Sequence, residues 1–292
     1  MAFNLQTFKT RTLTAAVFVI VMLAGLLWNQ WSFLILFSVI HFGCWWEYLK
    51  LVEKTRNSSF HIYFKIGLML LGYGLMLWFC GSIYEIRGYG IRGNFFLPLS
   101  AAGFALMVIG IFLQQKIQIL ALGAALLGLF YISLCWGLLI NLHSKTDLHV
   151  SDTFLGIKNG TLPILIIISI WINDTMAYIV GSMIGKTPLS KISPKKTWEG
   201  TIGGIILSIV VVGIIAFSVS RFRPAMIEIA IIAAIASVAG TFGDLFESKL
   251  KRMAGVKDSG HFMPGHGGFL DRFDSLLLAV PAVWLYVYFF LR

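Results

Sequence analysis

Thirty-five consecutive residues, Thr12 to Trp46, contain no Asp, Glu, Lys or Arg. Leaving apolar surface in water costs about 25 cal/mol per Å², so a run of this length has to be buried in protein or lipid. As one straight helix it would span about 52 Å at 1.5 Å per residue. The hydrocarbon core of a bilayer is only about 30 Å thick. Two helices are therefore predicted, broken at Trp28-Asn29-Gln30-Trp31, where amides and interfacial aromatics sit together. The run is too long for a cleaved signal peptide, and none is expected.

The rest of the 292 residues repeats the pattern. Hydrophobic residues make up 58% and charged residues 12%, against about 45–50% and about 25% in soluble domains. Further apolar runs lie near 61–80, 95–113, 117–141, 161–184, 200–220, 225–246 and 274–291. The expected fold is an all-α polytopic membrane protein with about nine transmembrane helices. It forms one membrane domain over 1–292: N-terminal helices without a clear motif over 1–160, and a catalytic half over 161–292.

The net charge is +10. In a membrane protein this excess reflects lysine and arginine facing the cytoplasm, so no nucleic-acid partner is expected. With nine spans and a cytoplasmic N-terminus, 16 of the 23 basic residues fall on the cytoplasmic side and 7 outside. Cys44, Cys80 and Cys135 all lie in apolar runs and are odd in number, which reads as buried free thiols.

Two long segments, 185–199 and 247–273, then face the cytoplasm. Seven of the 13 acidic residues lie in or beside them: Asp174, Glu199, Asp244, Glu247, Asp258, Asp271 and Asp274. If the eighth helix continues past its apolar run, Asp244, Glu247, Ser248 and Lys251 share one face. A carboxylate at the inner end of a span is costly without a partner, which points to a metal or phosphate site, with ordinary ion pairs at a solvated helix end as the alternative. Asp271 and Asp274, three apart, either share a face or leave Asp274 as a cap. Glycines among residues 257–275 permit close backbone approach to a ligand, and successive N–H groups there can form an anion nest.

Lys195 and Lys196 are point charges suited to phosphate, flanked by the hydroxyls of Ser193 and Thr197; a loop that only meets lipid headgroups is the bland alternative. Gly181-x₃-Gly185-Lys186-Thr187 has too few residues between its glycines for a phosphate loop and reads as a helix-packing face. His261 and His266 lack nearby cysteines, so zinc is not expected.

Ser248-x-Leu250-Lys251-Arg252-x₄-Lys257-Asp258-x-Gly260-x₂-Met263-Pro264-x-His266-Gly267-Gly268-Phe269-x-Asp271-Arg272-Phe273-Asp274 resembles the signature of phosphatidate cytidylyltransferases, the CDP-diacylglycerol synthases. That family more often has Leu, Ile or Phe at the place of Met263. Ser193-Pro194-Lys195-Lys196-Thr197-Trp198-Glu199-Gly200 and Asp174-Thr175-x-Ala177-Tyr178 are similar to other family segments.

The resemblance implies a nucleotidyltransferase of phospholipid biosynthesis that makes CDP-diacylglycerol and pyrophosphate from CTP and phosphatidate, with Mg²⁺ and room for a second metal ion. Asp244 and Asp271 are the expected metal ligands, with Asp274 a third or second-metal ligand. Asp244, Lys257, Asp258, Asp271 and Asp274 form the catalytic set, with Asp258 orienting Lys257. Substrate phosphates fall to Ser193, Lys195, Lys196, Thr197, Lys251, Arg252, His266, Gly267, Gly268 and Arg272. The implied setting is a bacterial inner membrane with the site facing the cytoplasm; a homo-oligomer is left open. The alternatives are a CTP-dependent lipid kinase and, from another class, an ion-coupled transporter using Asp174 and the inner-end carboxylates.

Overall fold

The computed structural model describes residues 5–114, 116, 118–145, 160–219, 224–262 and 267–291. Among them lie nine apolar helices: α1 Leu5–Leu27, α2 Gln30–Arg56, α3 Ile62–Trp78, α4 Ile91–Phe112, α5 Ile119–His143, α6 Thr161–Ile184, α7 Trp198–Val219, α8 Pro224–Met253 and α9 Leu270–Phe290. Seven are long and apolar enough to cross a membrane; the apolar parts of the other two, Thr12–Leu27 and Ile62–Trp78, are shorter. A two-residue hairpin, β1 Glu85–Ile86 with β2 Tyr89–Gly90, precedes α4. The chain is an all-α polytopic membrane protein. Val17, Ile20, Leu97, Phe104, Ile206 and Phe217 are exposed, as side chains that meet lipid rather than water would be.

The charge-free run breaks where the amides predicted it. Asn29 caps α2: its Oδ1 accepts the N–H groups of Trp31 at 2.9 Å and Ser32 at 2.8 Å, and Ser32 Oγ returns a bond to the Asn29 N–H at 3.0 Å. The orphan donors of the new helix are thereby satisfied. Two helices are longer than their apolar runs. α8 continues to Met253 rather than stopping near 246, and α9 begins at Leu270 rather than 274. Both extensions carry charged residues, which hydropathy assigns to loops. The three cysteines are free and buried.

The chain forms two compact units, each discontinuous in sequence. One comprises 1–137 with 250–273, the other 138–249 with 274–292. In the first, α3 and α4 approach so closely that a Cβ at Gly67 or Gly103 would land on the opposite backbone. A π-helical stretch, Leu129–Leu134, interrupts α5 and presents Ser133, whose Oγ accepts Trp45 Nε1 at 2.8 Å and lies 3.0 Å from His41 Nε2. In the second, α6 and α7 pack through small residues: Gly200 lies against Gly181 and the Ala177 carbonyl, and Gly204 against Ala177 and the Asn173 carbonyl. This is the close helix contact that small residues permit in membranes, and it is the role the Gly181-x₃-Gly185 spacing suggested.

Candidate functional site

In the second unit, the segment between α6 and α7 is folded back on itself. Pro188 bridges Thr197 in antiparallel fashion. Leu189 N–H donates to the Lys196 carbonyl at 2.7 Å, and Trp198 N–H to the Thr187 carbonyl at 2.9 Å. Glu199 accepts the N–H groups of Lys186 and Thr187 at 3.2 Å. Thr197 has a structural task, with its Oγ1 accepting the Gly200 N–H at 3.1 Å in the first turn of α7. Ser193 donates its N–H to Ser190 Oγ at 3.2 Å.

Lys195, Lys196 and Thr197 line a cavity of about 200 Å³ with Tyr178, Ser182 and Thr201. Lys196 forms an ion pair with Asp244 on α8. Ser248, one turn further along α8, donates Oγ to Asp244 Oδ1 at 3.2 Å. Asp174, accessible on α6, bonds Asn173 at 3.3 Å and lies within electrostatic reach of Lys196 and Asp244. Asp274 is buried, with Oδ1 accepting the Ser275 N–H at 2.7 Å. It is the fifth residue of α9, so it is not the cap of that helix.

In the first unit, Lys251 Nζ meets Asp271 Oδ1 at 2.6 Å, and both side chains are largely buried. Asp271 Oδ2 takes the N–H groups of Ser259 at 2.9 Å and Gly268 at 2.8 Å, and lies 3.0 Å from Ser259 Oγ. The Gly268 N–H therefore points at Asp271 rather than at an incoming anion. Gly267 has φ +84, and a Cβ there would sit 2.6 Å from Asp271 Oδ2; both facts demand glycine. Arg252 reaches the Val256 carbonyl at 3.1 Å and closes the end of α8. Lys257, Asp258 and Arg272 are exposed, and no ion pair among the described residues joins Lys257 to Asp258. His266 lies outside the described residues.

One participant belongs to none of the sequence motifs. Glu47, on α2 and 5% exposed, accepts the N–H groups of Phe269 at 3.0 Å and Leu270 at 2.9 Å and the hydroxyl of Ser259 at 2.7 Å. Its one sequence signal is that it ends the charge-free run, as a carboxylate directly after Trp45-Trp46.

Both clusters offer oxygen donors, carboxylates and hydroxyls, beside lysines. That chemistry suits a hard cation, which Mg²⁺ sites usually hold with one or two carboxylates and substrate phosphates. Among the described residues, no three His, Cys, Asp or Glu side chains gather into a cage; carboxylate–lysine pairs fit a cation shared with a substrate.

The family model described as the cytidylyltransferase family matches residues 9–290. This chain belongs to the cytidylyltransferase family. A phosphatidate cytidylyltransferase of Bacillus subtilis is 32% identical over 278 residues, covering 94% of this chain and 96% of its own. One of Staphylococcus saprophyticus is 30% identical over 279 residues, with the same shares. A phosphatidate cytidylyltransferase of Haemophilus influenzae is 42% identical over 153 residues, 51% of this chain and 52% of its own. The match takes in the N-terminal helices, where the sequence shows no motif, as well as the signature.

Proposed function

We propose that the protein transfers the cytidylyl group of CTP to phosphatidate, giving CDP-diacylglycerol and pyrophosphate. The observation that carries this reading is the cationic cavity beside Asp244, formed by Lys195 and Lys196 on the loop that resembles the family's. Family membership and full-length similarity to bacterial phosphatidate cytidylyltransferases support it.

The attacking group is the phosphate of the lipid, which is already ionised, so no strong base is required. The barrier lies in bringing two anions together and in stabilising pyrophosphate as it leaves. Fixed cations aimed at that charge address both difficulties. Lys195 and Lys196 receive triphosphate oxygens in the cavity, and Lys196 exchanges its partner Asp244 for substrate in doing so. Lys251 is held by Asp271 and is the corresponding cation of the first unit. Asp244 and Asp271 are the proposed Mg²⁺ ligands, with the buried Asp274 as a further one. When bound, Mg²⁺ offsets the charge developing on the leaving oxygens. Thr197, Gly267 and Gly268 act by fixing the two loops, and Arg252, Lys257 and Arg272 remain proposed contacts for phosphate from the surface. The proposed orientation keeps 16 of 23 basic residues on the cytoplasmic side of a bacterial inner membrane, where CTP is available.

Purified protein in mixed micelles is expected to form a liponucleotide, identified by mass, only when CTP, phosphatidate and Mg²⁺ are all present. Ion flux in vesicles without nucleotide turnover would contradict the reading and favour a transporter.

A further inference from the structure

The signature turn is held from a helix more than two hundred residues away in sequence. The N-terminal N–H groups of a helix have no partner within it. In α9 those of Phe269 and Leu270 end on the Glu47 carboxylate, where a negative charge also complements the helix dipole. Glu47 Oε2 takes the Ser259 hydroxyl in addition, and the same Oγ lies within hydrogen-bond distance of Asp271 Oδ2. A hydroxyl has one proton, so Ser259 serves Glu47 or Asp271 through Oγ, while its backbone N–H holds Asp271 in either case.

The glycines of the signature record the same anchor. A Cβ at Gly260 or Gly268 would collide with the Glu47 carboxylate, and one at Gly43, a turn earlier on α2, would collide with the Phe269 ring. The face of α2 carrying Gly43 and Glu47 is thus the seat of the turn. The consequence falls on Asp271. Oδ2 is saturated by Ser259 and Gly268, and Oδ1, beside Lys251, is the oxygen left to meet a cation or substrate.

We propose that Glu47 is a positioning residue of the cytidylyl-transfer site: its buried carboxylate seats the turn of Ser259 and Gly268, and through it sets the orientation of the Asp271 carboxylate. The role rests on the cytidylyltransferase reading given above. Glu47 itself does not touch substrate.

Glu47→Gln is nearly isosteric. Its amide nitrogen must face the Phe269 N–H on one side, or the Leu270 N–H and Ser259 hydroxyl on the other, so at least one backbone donor loses its acceptor. Partners that orient a metal ligand typically contribute about 10–100-fold to activity or metal affinity. The expected result is a kcat reduced by about that factor, KM for CTP changed by less than about threefold, and a higher Mg²⁺ concentration for half-maximal rate.

A second readout needs neither metal nor substrate. Hydrogen exchange followed by mass spectrometry should show the 267–272 amides exchanging about tenfold faster in Glu47→Gln, with peptides of α3 and α4 unchanged. Ser259→Ala keeps the bonds that Phe269 and Leu270 donate to Glu47, and remains informative if Glu47→Gln fails to fold. Its kcat should fall too, and the double variant should be little worse than the poorer single one, since residues acting in one line are non-additive.

Unchanged exchange in Glu47→Gln would overturn the anchor. Faster exchange with kcat within about threefold of wild type, or multiplicative losses in the double variant, would overturn the positioning role. If the wild-type protein turned over no CTP, the functional reading would fall, and the exchange experiment would still decide whether Glu47 holds the turn.

Discussion

Gly243→Ala puts one methyl group beside the proposed Asp244 ligand without touching a charge. In the second unit α8 lies against the start of α9, and a Cβ at Gly243 would stand 2.5 Å from the Asp274 carbonyl oxygen and 3.0 Å from Ser275 Cα. Non-bonded heavy atoms settle at about 3.5–4.0 Å, so the backbones have to part by about 1 Å. Both neighbours are backbone atoms, and no side-chain rotation relieves the contact. Overpacking of this kind costs about 1–3 kcal/mol, which a folded protein generally survives. A catalytic group displaced by about 1 Å loses about a hundredfold in rate, and Asp244 follows Gly243 directly. The expected outcome is kcat/KM for CTP down by about two orders of magnitude in protein that still elutes as a single species. Gly213→Ala is the control, because a Cβ at Gly213 meets nothing within 4 Å. Activity of Gly243→Ala within threefold of wild type would refute the claim that α8 and α9 are held in a tight register at Asp244.

Asp244→Asn and Asp271→Asn remove a full charge each with little change of shape. Loss of several kcal/mol of transition-state stabilisation corresponds to roughly three orders of magnitude in rate, read as Mg²⁺-dependent turnover; retention of that turnover within about tenfold at either position would unseat it as a ligand. The double variant Lys195→Gln/Lys196→Gln should lose kcat/KM for CTP while its melting behaviour stays close to wild type, whereas a loop serving only orientation would leave kcat/KM near normal. For sidedness, single cysteines at Lys191 and Lys257, both exposed, should react in a cysteine-free background only with reagents that reach the cytoplasm, and one at Tyr89 only with reagents outside; reaction of Lys191Cys from outside intact cells would reverse the topology.

The spacing of charged residues displayed the spans, and Asn29 displayed the break between the first two, because lipid imposes both and a cap is a local device. Local pattern failed where distant partners decide. Hydropathy ends the apolar run of α8 near 246 and begins that of α9 at 274, yet the helices run on to Met253 and start at Leu270, and Lys251 and Asp271 pair on those extensions. The signature displayed Asp271, Lys251 and the glycines as a set. It did not display why the glycines are there: Gly260 and Gly268 make room for Glu47, which sits on a helix without any motif. Nothing in the periodicity of α2 separates Glu47 from an ordinary charge at the end of a span. Thr197, a ligand hydroxyl by its place in the lysine loop, also caps α7 with that hydroxyl, a role that its place just before Trp198-Glu199-Gly200 allows.

In cytidylyl transfer the lipid phosphate attacks the α-phosphorus of CTP. Purified protein supplied with phosphatidate, Mg²⁺ and CTP labelled at either the α- or the γ-phosphate tests it directly. The α-label should enter the lipid product and the γ-label should leave as pyrophosphate, in equal amounts. A γ-label found on the lipid, with CDP as the second product, would show phosphoryl transfer instead and contradict it.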